Sequence, residues 1–189
     1  KKRDDRYPTM NALLDELTRF YEFQTGETLS AVQSGVMTAE DYNNRGVTYN
    51  NLKLYELALA DLDEAIRLNP SYALAYYNRG SSYNGLGQPL RAIADYTEAI
   101  HLNPTDAESY NNRGISYESL GQHTQSIANF AEAIHLNLNY AEAWFNKGAV
   151  YANTGRLAES IPYFEKAHQL GYSAALGAIQ QVKRMMGGG

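Results

Sequence analysis

There is no cysteine in the 189 residues. That excludes a disulfide scaffold, a thiolate nucleophile and a cysteine-based zinc site. An excess of basic residues is also missing. Lys and Arg number 16 against 21 Asp and Glu, a net charge of −5, so nucleic acid is not an expected partner. No apolar run approaches the roughly 18 residues that a membrane span needs, so no membrane partner is expected either. Proline is scarce, with five residues, and tryptophan occurs once. What remains is a foldable composition: 44% of residues are hydrophobic and 16 are tyrosine. A reducing cytoplasm suits such a chain and is its expected location. The chain begins at Lys1 and not at Met, and is expected to be cut from something longer.

The organising feature is a repeat. Asn44-Arg45-Gly46 returns as Asn78-Arg79-Gly80, Asn112-Arg113-Gly114 and Asn146-Lys147-Gly148, an interval of 34 each time. Tyr49, Tyr83, Tyr117 and Tyr151 follow the glycines by three. Each copy holds two stretches of helical apolar period; in the second copy they run near 73–86 and 89–102. Gly87, Gly121 and Gly155 punctuate the turns and Lys53 replaces that glycine in the first copy, at a cost of ~1–2 kcal/mol if it turns left-handed. Thr105 with Glu108, and Asn139 with Glu142, have capping-box spacing. Pro70 and Pro104 separate units, and Leu138 takes that place at the third junction, which predicts a less rigid link there.

Small residues recur too. Gly46, Gly80, Gly114 and Gly148 are expected to face Ala58, Ala92, Ser126 and Ser160, so that the paired helices approach closely. Large side chains fill the rest: Tyr42, Tyr76, Tyr110 and Trp144, with Leu62, Tyr96, Phe130 and Phe164. No pair can bury its apolar faces alone, so stacking must supply the stability. Pro162 is read as lying near its helix start. Residues 173–186 make a last helix with a stripe of Leu176, Ile179, Val182 and Met186, and the tail from Met185 to Gly189 is expected to fray.

This series resembles the tetratricopeptide repeat family over residues 39–172, except that the usual Leu before each Gly is Arg or Lys. The resemblance implies an all-α fold. It would be a right-handed superhelix (α-solenoid) of four helix-turn-helix repeats, 39–72, 73–106, 107–140 and 141–172, with a C-terminal capping helix and an extra N-terminal helix.

That extra helix lies in residues 1–23. Met10, Leu13, Leu14, Leu17, Phe20 and Tyr21 give it one apolar face. The run from Lys2 to Met10, followed by Leu13-Leu14-Asp15-Glu16-Leu17, resembles the end of a bacterial Ser/Thr protein kinase domain, although the usual Pro is Arg3. The residues alone also make an ordinary capped amphipathic helix. No Gly-rich loop, His-Arg-Asp or Asp-Phe-Gly motif is present. Residues 24–37 read as a linker.

Candidate chemistry is thin. His101 and His135 occupy equivalent helix-surface positions, with no recurring carboxylate to complete a metal site. His123 falls in a turn and His168 near a helix end. Asp61, Asp63 and Glu64, echoed by Asp95 and Glu98, read as a solvated acidic face. No enzyme activity, cofactor or metal is expected.

In tetratricopeptide arrays the first helices line the concave side. The resemblance therefore makes a peptide-binding groove of Asn43, Asn44, Tyr77, Asn78, Asn111, Asn112, Phe145 and Asn146. A carboxamide both donates and accepts, so it can pair with peptide backbone. Helices ~10 Å apart would offer one asparagine to about every third residue of an extended ligand. This is similar to the asparagine ladder of the O-linked N-acetylglucosamine transferase repeat domain. The positions that carry Lys and Arg in co-chaperones gripping acidic tails are Asn43, Val47, Glu108 and Asn112 here. The expected partner is thus a neutral or basic extended protein segment, bound by the regulatory or recruitment region of a kinase. The alternative is self-association into a homodimer through the N-terminal helix or a repeat face.

Overall fold

In a computed structural model, residues 37–187 are described, and they form helices joined by short turns. In order these are α1 (Ala39–Asn51), α2 (Tyr55–Leu68), α3 (Ala73–Gly85), α4 (Pro89–Leu102), α5 (Ala107–Ser119), α6 (His123–Leu136), α7 (Ala141–Asn153), α8 (Leu157–Gln169) and α9 (Ala175–Gly187). The helix read over residues 9–23, and the linker as far as residue 36, lie outside the described residues. Among those described, the architecture is an all-α solenoid: antiparallel pairs α1/α2, α3/α4, α5/α6 and α7/α8 stack, and α9 packs on α8.

The turn within each pair explains the sharp reversal. Gly87, Gly121 and Gly155 have φ of 67°, 70° and 79°, a region L side chains avoid. Lys53 takes φ 60° in the first pair, as its position implied. Between pairs the chain turns on asparagine. The side-chain oxygens of Asn69, Asn103 and Asn137 accept from the backbone N–H of Ser71, Thr105 and Asn139 at 3.2, 3.4 and 3.0 Å. The third junction keeps this Asx turn despite Leu138. Trp144 also donates its indole N–H to the Leu138 carbonyl at 3.0 Å.

Several expectations are corrected. The cap of α5 is Asp106, which accepts from Glu108 and Ser109, while the Thr105 hydroxyl bonds Asn103 instead. Tyr140 caps α7 without a side-chain bond. Among the described residues a capping box is formed by Thr38 with Asp41, opening α1. A Cβ on Gly46, Gly80, Gly114 or Gly148 would meet Leu62, Tyr96, Phe130 or Phe164, sixteen residues on and not twelve. The glycines thus make room for the large buried side chains of the second helices. Pro162 is the sixth residue of α8, past the first turn, so the Ala158 carbonyl loses its helical donor. In α9 the buried side chains are Ala175, Ile179 and Val182, whereas Leu176 and Met186 are exposed. The helix continues through Met185 and Met186 where fraying was expected.

The core runs along the stack. Leu62, Tyr96, Phe130 and Phe164 are each no more than 2% exposed. Phe164, Ile179 and Val182 form the last cluster, with Phe145, Ala149 and Ile161 packed against it. Here α9 covers apolar surface that the fourth pair would otherwise leave in water.

Candidate functional site: the face of the first helices

Successive first helices touch one another: α1 with α3, α3 with α5, and α5 with α7. Second helices contact the first helix of their own pair and of the next. The array therefore closes toward its first helices, which form the inner face.

That face is tied together by amides at a fixed register. Asn78 donates its side-chain N–H to the Asn43 oxygen at 2.8 Å, Asn112 to the Tyr77 hydroxyl at 3.0 Å, and Asn146 to the Asn111 oxygen at 3.1 Å. Each donor stands 35 residues beyond its acceptor. The Tyr77 hydroxyl in turn donates to Glu108 at 3.3 Å, and Asn111 donates to Glu142 at 3.4 Å. Burial, together with the Glu108 carboxylate, pushes the Tyr77 phenol well above its usual range.

The eight residues read as groove-lining are thus not equivalent. Asn43 is 4% exposed and Asn111 0%. Both sit inside helix contacts as acceptors for the next repeat, and neither presents a surface to a ligand. Asn44 is exposed, and Tyr77, Asn78, Asn112 and Asn146 are half-buried. Among the described residues the side-chain oxygens of Asn78 and Asn146 accept no hydrogen bond, so each keeps an open acceptor on a half-buried amide. Phe145 joins neither amide chain. It packs at the end of the array against Phe164 and Tyr172, with ring centroids 5.2 and 4.7 Å away.

The cations face the other way. Arg45 donates Nε and Nη2 to the Asp61 carboxylate at 2.7 and 2.8 Å. Arg79 repeats this on Asp95 at 2.8 and 2.7 Å and adds Asp63 of the preceding repeat at 2.7 Å. Arg113 meets Asn129 at 2.8 Å and Thr97 at 3.1 Å. Lys147 lies over the Tyr163 ring, 4.8 Å from its centroid. Arg45, Arg79 and Arg113 also cover the rings of Tyr42, Tyr76 and Tyr110 at 5.4–5.5 Å.

Asp61 and Asp95, each 6% exposed, are therefore not part of a solvated acidic face. They are the anchors of a polar ladder between helices. Sequence carried a signal for it: Arg45 to Asp61 and Arg79 to Asp95 are both 16 residues apart. Burial raises the Asp95 carboxyl, and the Arg79 hydrogen bonds pull against it. For Arg79 itself the bond to Asp95 outweighs burial and raises the pKa. We take the pair as charged, because two short bonds bind the carboxylate on one side. With only a neutral partner, Arg113 is lowered by burial.

Among the described residues no group of three or more metal-ligating side chains comes together. No helix there is long and apolar enough to cross a membrane. His101, His135 and His168 are exposed, and His123 pairs with Glu118 at 2.8 Å.

Tetratricopeptide repeat models match residues 39–72, 73–106 and 111–175. No curated protein matches the chain by sequence. Among solved structures it is similar to MamA, at 28% identity over 72% of this chain and 80% of that one, with a TM-score of 0.67. It is similar also to YrrB, described as a tetratricopeptide repeat protein with an unusual peptide-binding site, at 24% identity over 85% and 84%, TM-score 0.68. Pseudomonas aeruginosa pilF shares the fold at 21% identity over 76% and 67%, TM-score 0.71. The chain belongs to the tetratricopeptide repeat family, whose members serve as scaffolds for protein–protein interaction.

Proposed function

We propose that the inner face of the first helices docks an extended protein segment of neutral or basic character. The observation that carries this reading is the division of charge. Each first helix holds one cation, Arg45, Arg79, Arg113 or Lys147, and all four engage second-helix side chains or aromatic rings. The inner face keeps carboxamides, the Tyr77 hydroxyl, and the carboxylates of Glu108 and Glu142. The open acceptors on Asn78 and Asn146 suit peptide N–H groups. An acidic tail would meet carboxylates without a compensating cation.

The kinase-like run from Lys2 to Leu17 supports placing this scaffold after a bacterial Ser/Thr kinase domain, in the cytoplasm. There the groove would recruit substrates or regulators. Affinity should be roughly micromolar, since ordering a flexible ligand costs about 2–5 kcal/mol.

The test is selection of random peptides on the full chain, followed by isotope-edited NMR. Side-chain amide shifts at Asn44, Asn78 and Asn146 are expected, and the Asn78→Ala, Asn112→Ala double variant should bind more weakly. Shifts confined to the second helices would overturn the reading. Pairing of two copies through residues 9–23 is the competing arrangement. Light scattering of the chain with and without residues 1–36 separates them, and a monomer in both removes the dimer.

A further inference from the structure

The repeats supply their own internal control at each junction between first helices. At the first junction Ser82 donates its hydroxyl to the Asn50 side-chain oxygen at 2.6 Å, and Asn50 donates to the Asn78 carbonyl at 2.9 Å. At the second, Ser116 donates to Asn84 at 3.0 Å, Asn84 reaches the Tyr96 hydroxyl at 3.4 Å, and that hydroxyl lies 3.2 Å from Ser81. Polar side chains bridge both of these gaps.

The third junction lacks every member of the set. Counting on by 34, Asn84 becomes Glu118, Ser116 becomes Val150, Tyr96 becomes Phe130 and Ser81 becomes Ile115. Val150 has no hydroxyl to donate to Glu118, which pairs with His123 in the turn instead. Phe130 has no hydroxyl to extend across. The result is a cavity of about 290 Å³ on the inner face, floored by Phe130 and walled by Ile115, Ala149, Val150 and Asn153, with Glu118 at its edge. A second hollow of about 170 Å³ adjoins it, sharing Ala149 and Asn153 and running toward Val182 and Met185 of α9.

We infer that this third-junction cavity is the specificity pocket of the groove, and that it takes one aliphatic or aromatic side chain of an extended segment with Lys or Arg beside it. The inference rests on the inner-face reading above and names the chemistry of its ligand. At about 290 Å³ the cavity stands at the lower end of the roughly 300–1,000 Å³ of small-molecule sites, and its place between two first helices gives access to a side chain projecting from a segment laid along the groove. The first-helix charge left on this face is acidic, although Glu118 is also held by His123 in the turn. Glu118 is at the edge, Glu142 and Glu108 lie along the same face, and the nearest first-helix cations, Arg113 and Lys147, are turned to Asn129 and Tyr163. A cationic flank is attracted there and an acidic one repelled. Phe130 and Val150 are 1% exposed, so they belong to the packed core against which the cavity lies.

The experiment begins with a random dodecapeptide library selected on the full chain. The expected consensus is a single Leu, Ile, Met or Phe with Lys or Arg within three residues. Selected peptides are then measured on a variant carrying Glu118→Asn, Phe130→Tyr and Val150→Ser, which installs three of the four polar members of the second junction and leaves Ile115 in place. Loss of at least tenfold in affinity with an unchanged melting temperature supports the pocket. Ala149→Leu, projecting into the same cavity, should give the same loss and serves if the triple variant folds poorly. Peptides that bind both variants as well as the parent, or that carry Asp or Glu beside the anchor, overturn the pocket while the groove stands. Failure to enrich any peptide overturns the groove reading, and the pocket with it.

Discussion

The guanidinium of Arg113 lies 2.8 Å from the side-chain oxygen of Asn129, at the place where Arg45 and Arg79 hold a carboxylate. The same arginine position thus meets an ion pair in two repeats and a neutral amide in the third.

Asn129→Asp should stabilise the array by about 1 kcal/mol, because it gives a buried cation a charged, two-pronged acceptor. The reverse change is far more costly. Asp95→Ala leaves the half-buried Arg79 with only the exposed Asp63 as a charged partner, and should cost about 2–3 kcal/mol, less than the roughly 3–5 kcal/mol of a buried pair broken outright. Urea unfolding measures both; a stabilised D95A variant would show that the ladder contributes nothing.

Alkali should unfold the protein through buried phenols. Burial raises Tyr77, Tyr96 and Tyr140, and Tyr96 reaches about 12. In the unfolded chain these groups titrate near about 10. A raised folded pKa means stability that is complete below pH 10 and is lost as pH climbs through 12. Phenolate absorbance should therefore rise in two stages, the second coinciding with loss of helical circular dichroism. Simple titration of all 16 tyrosines with the helix signal intact would refute it.

Lys53 and Gly87 occupy the same turn in successive repeats, with φ of 60° and 67°. Lys53→Gly should stabilise by about 1 kcal/mol by relieving the left-handed strain, and Gly87→Ala should destabilise by about as much. No packing confuses the result at Gly87, where nothing lies within 4 Å of an added Cβ. Thermal melts of the two single variants decide the signs.

Gly80→Ala tests the close approach instead. Its Cβ would stand 2.9 Å from the Tyr96 ring, which is 1% exposed and has no room to swing. Overpacking of this kind costs about 1–3 kcal/mol. A melt unchanged from the parent would mean the helices can part there.

The period of 34 determined the helix pairs, their turns and their stacking from sequence alone, because each of those features depends on local periodicity or on one residue's backbone freedom. The position of Gly87 predicted its φ, and the spacing of apolar residues predicted α3 and α4 almost to the residue. What a side chain does after the helices meet was a different matter. Asn43 and Asn78 are neighbours in the same motif family, yet one is buried as an acceptor and the other is half-buried and donates to it. Asp61 looked like one of a solvated trio until Arg45 was found against it. Those outcomes depend on which faces of two helices are brought within 3 Å. Only the tertiary packing sets that distance, so only the structure could separate the asparagines buried as acceptors, Asn43 and Asn111, from Asn78 and Asn146, which donate to them.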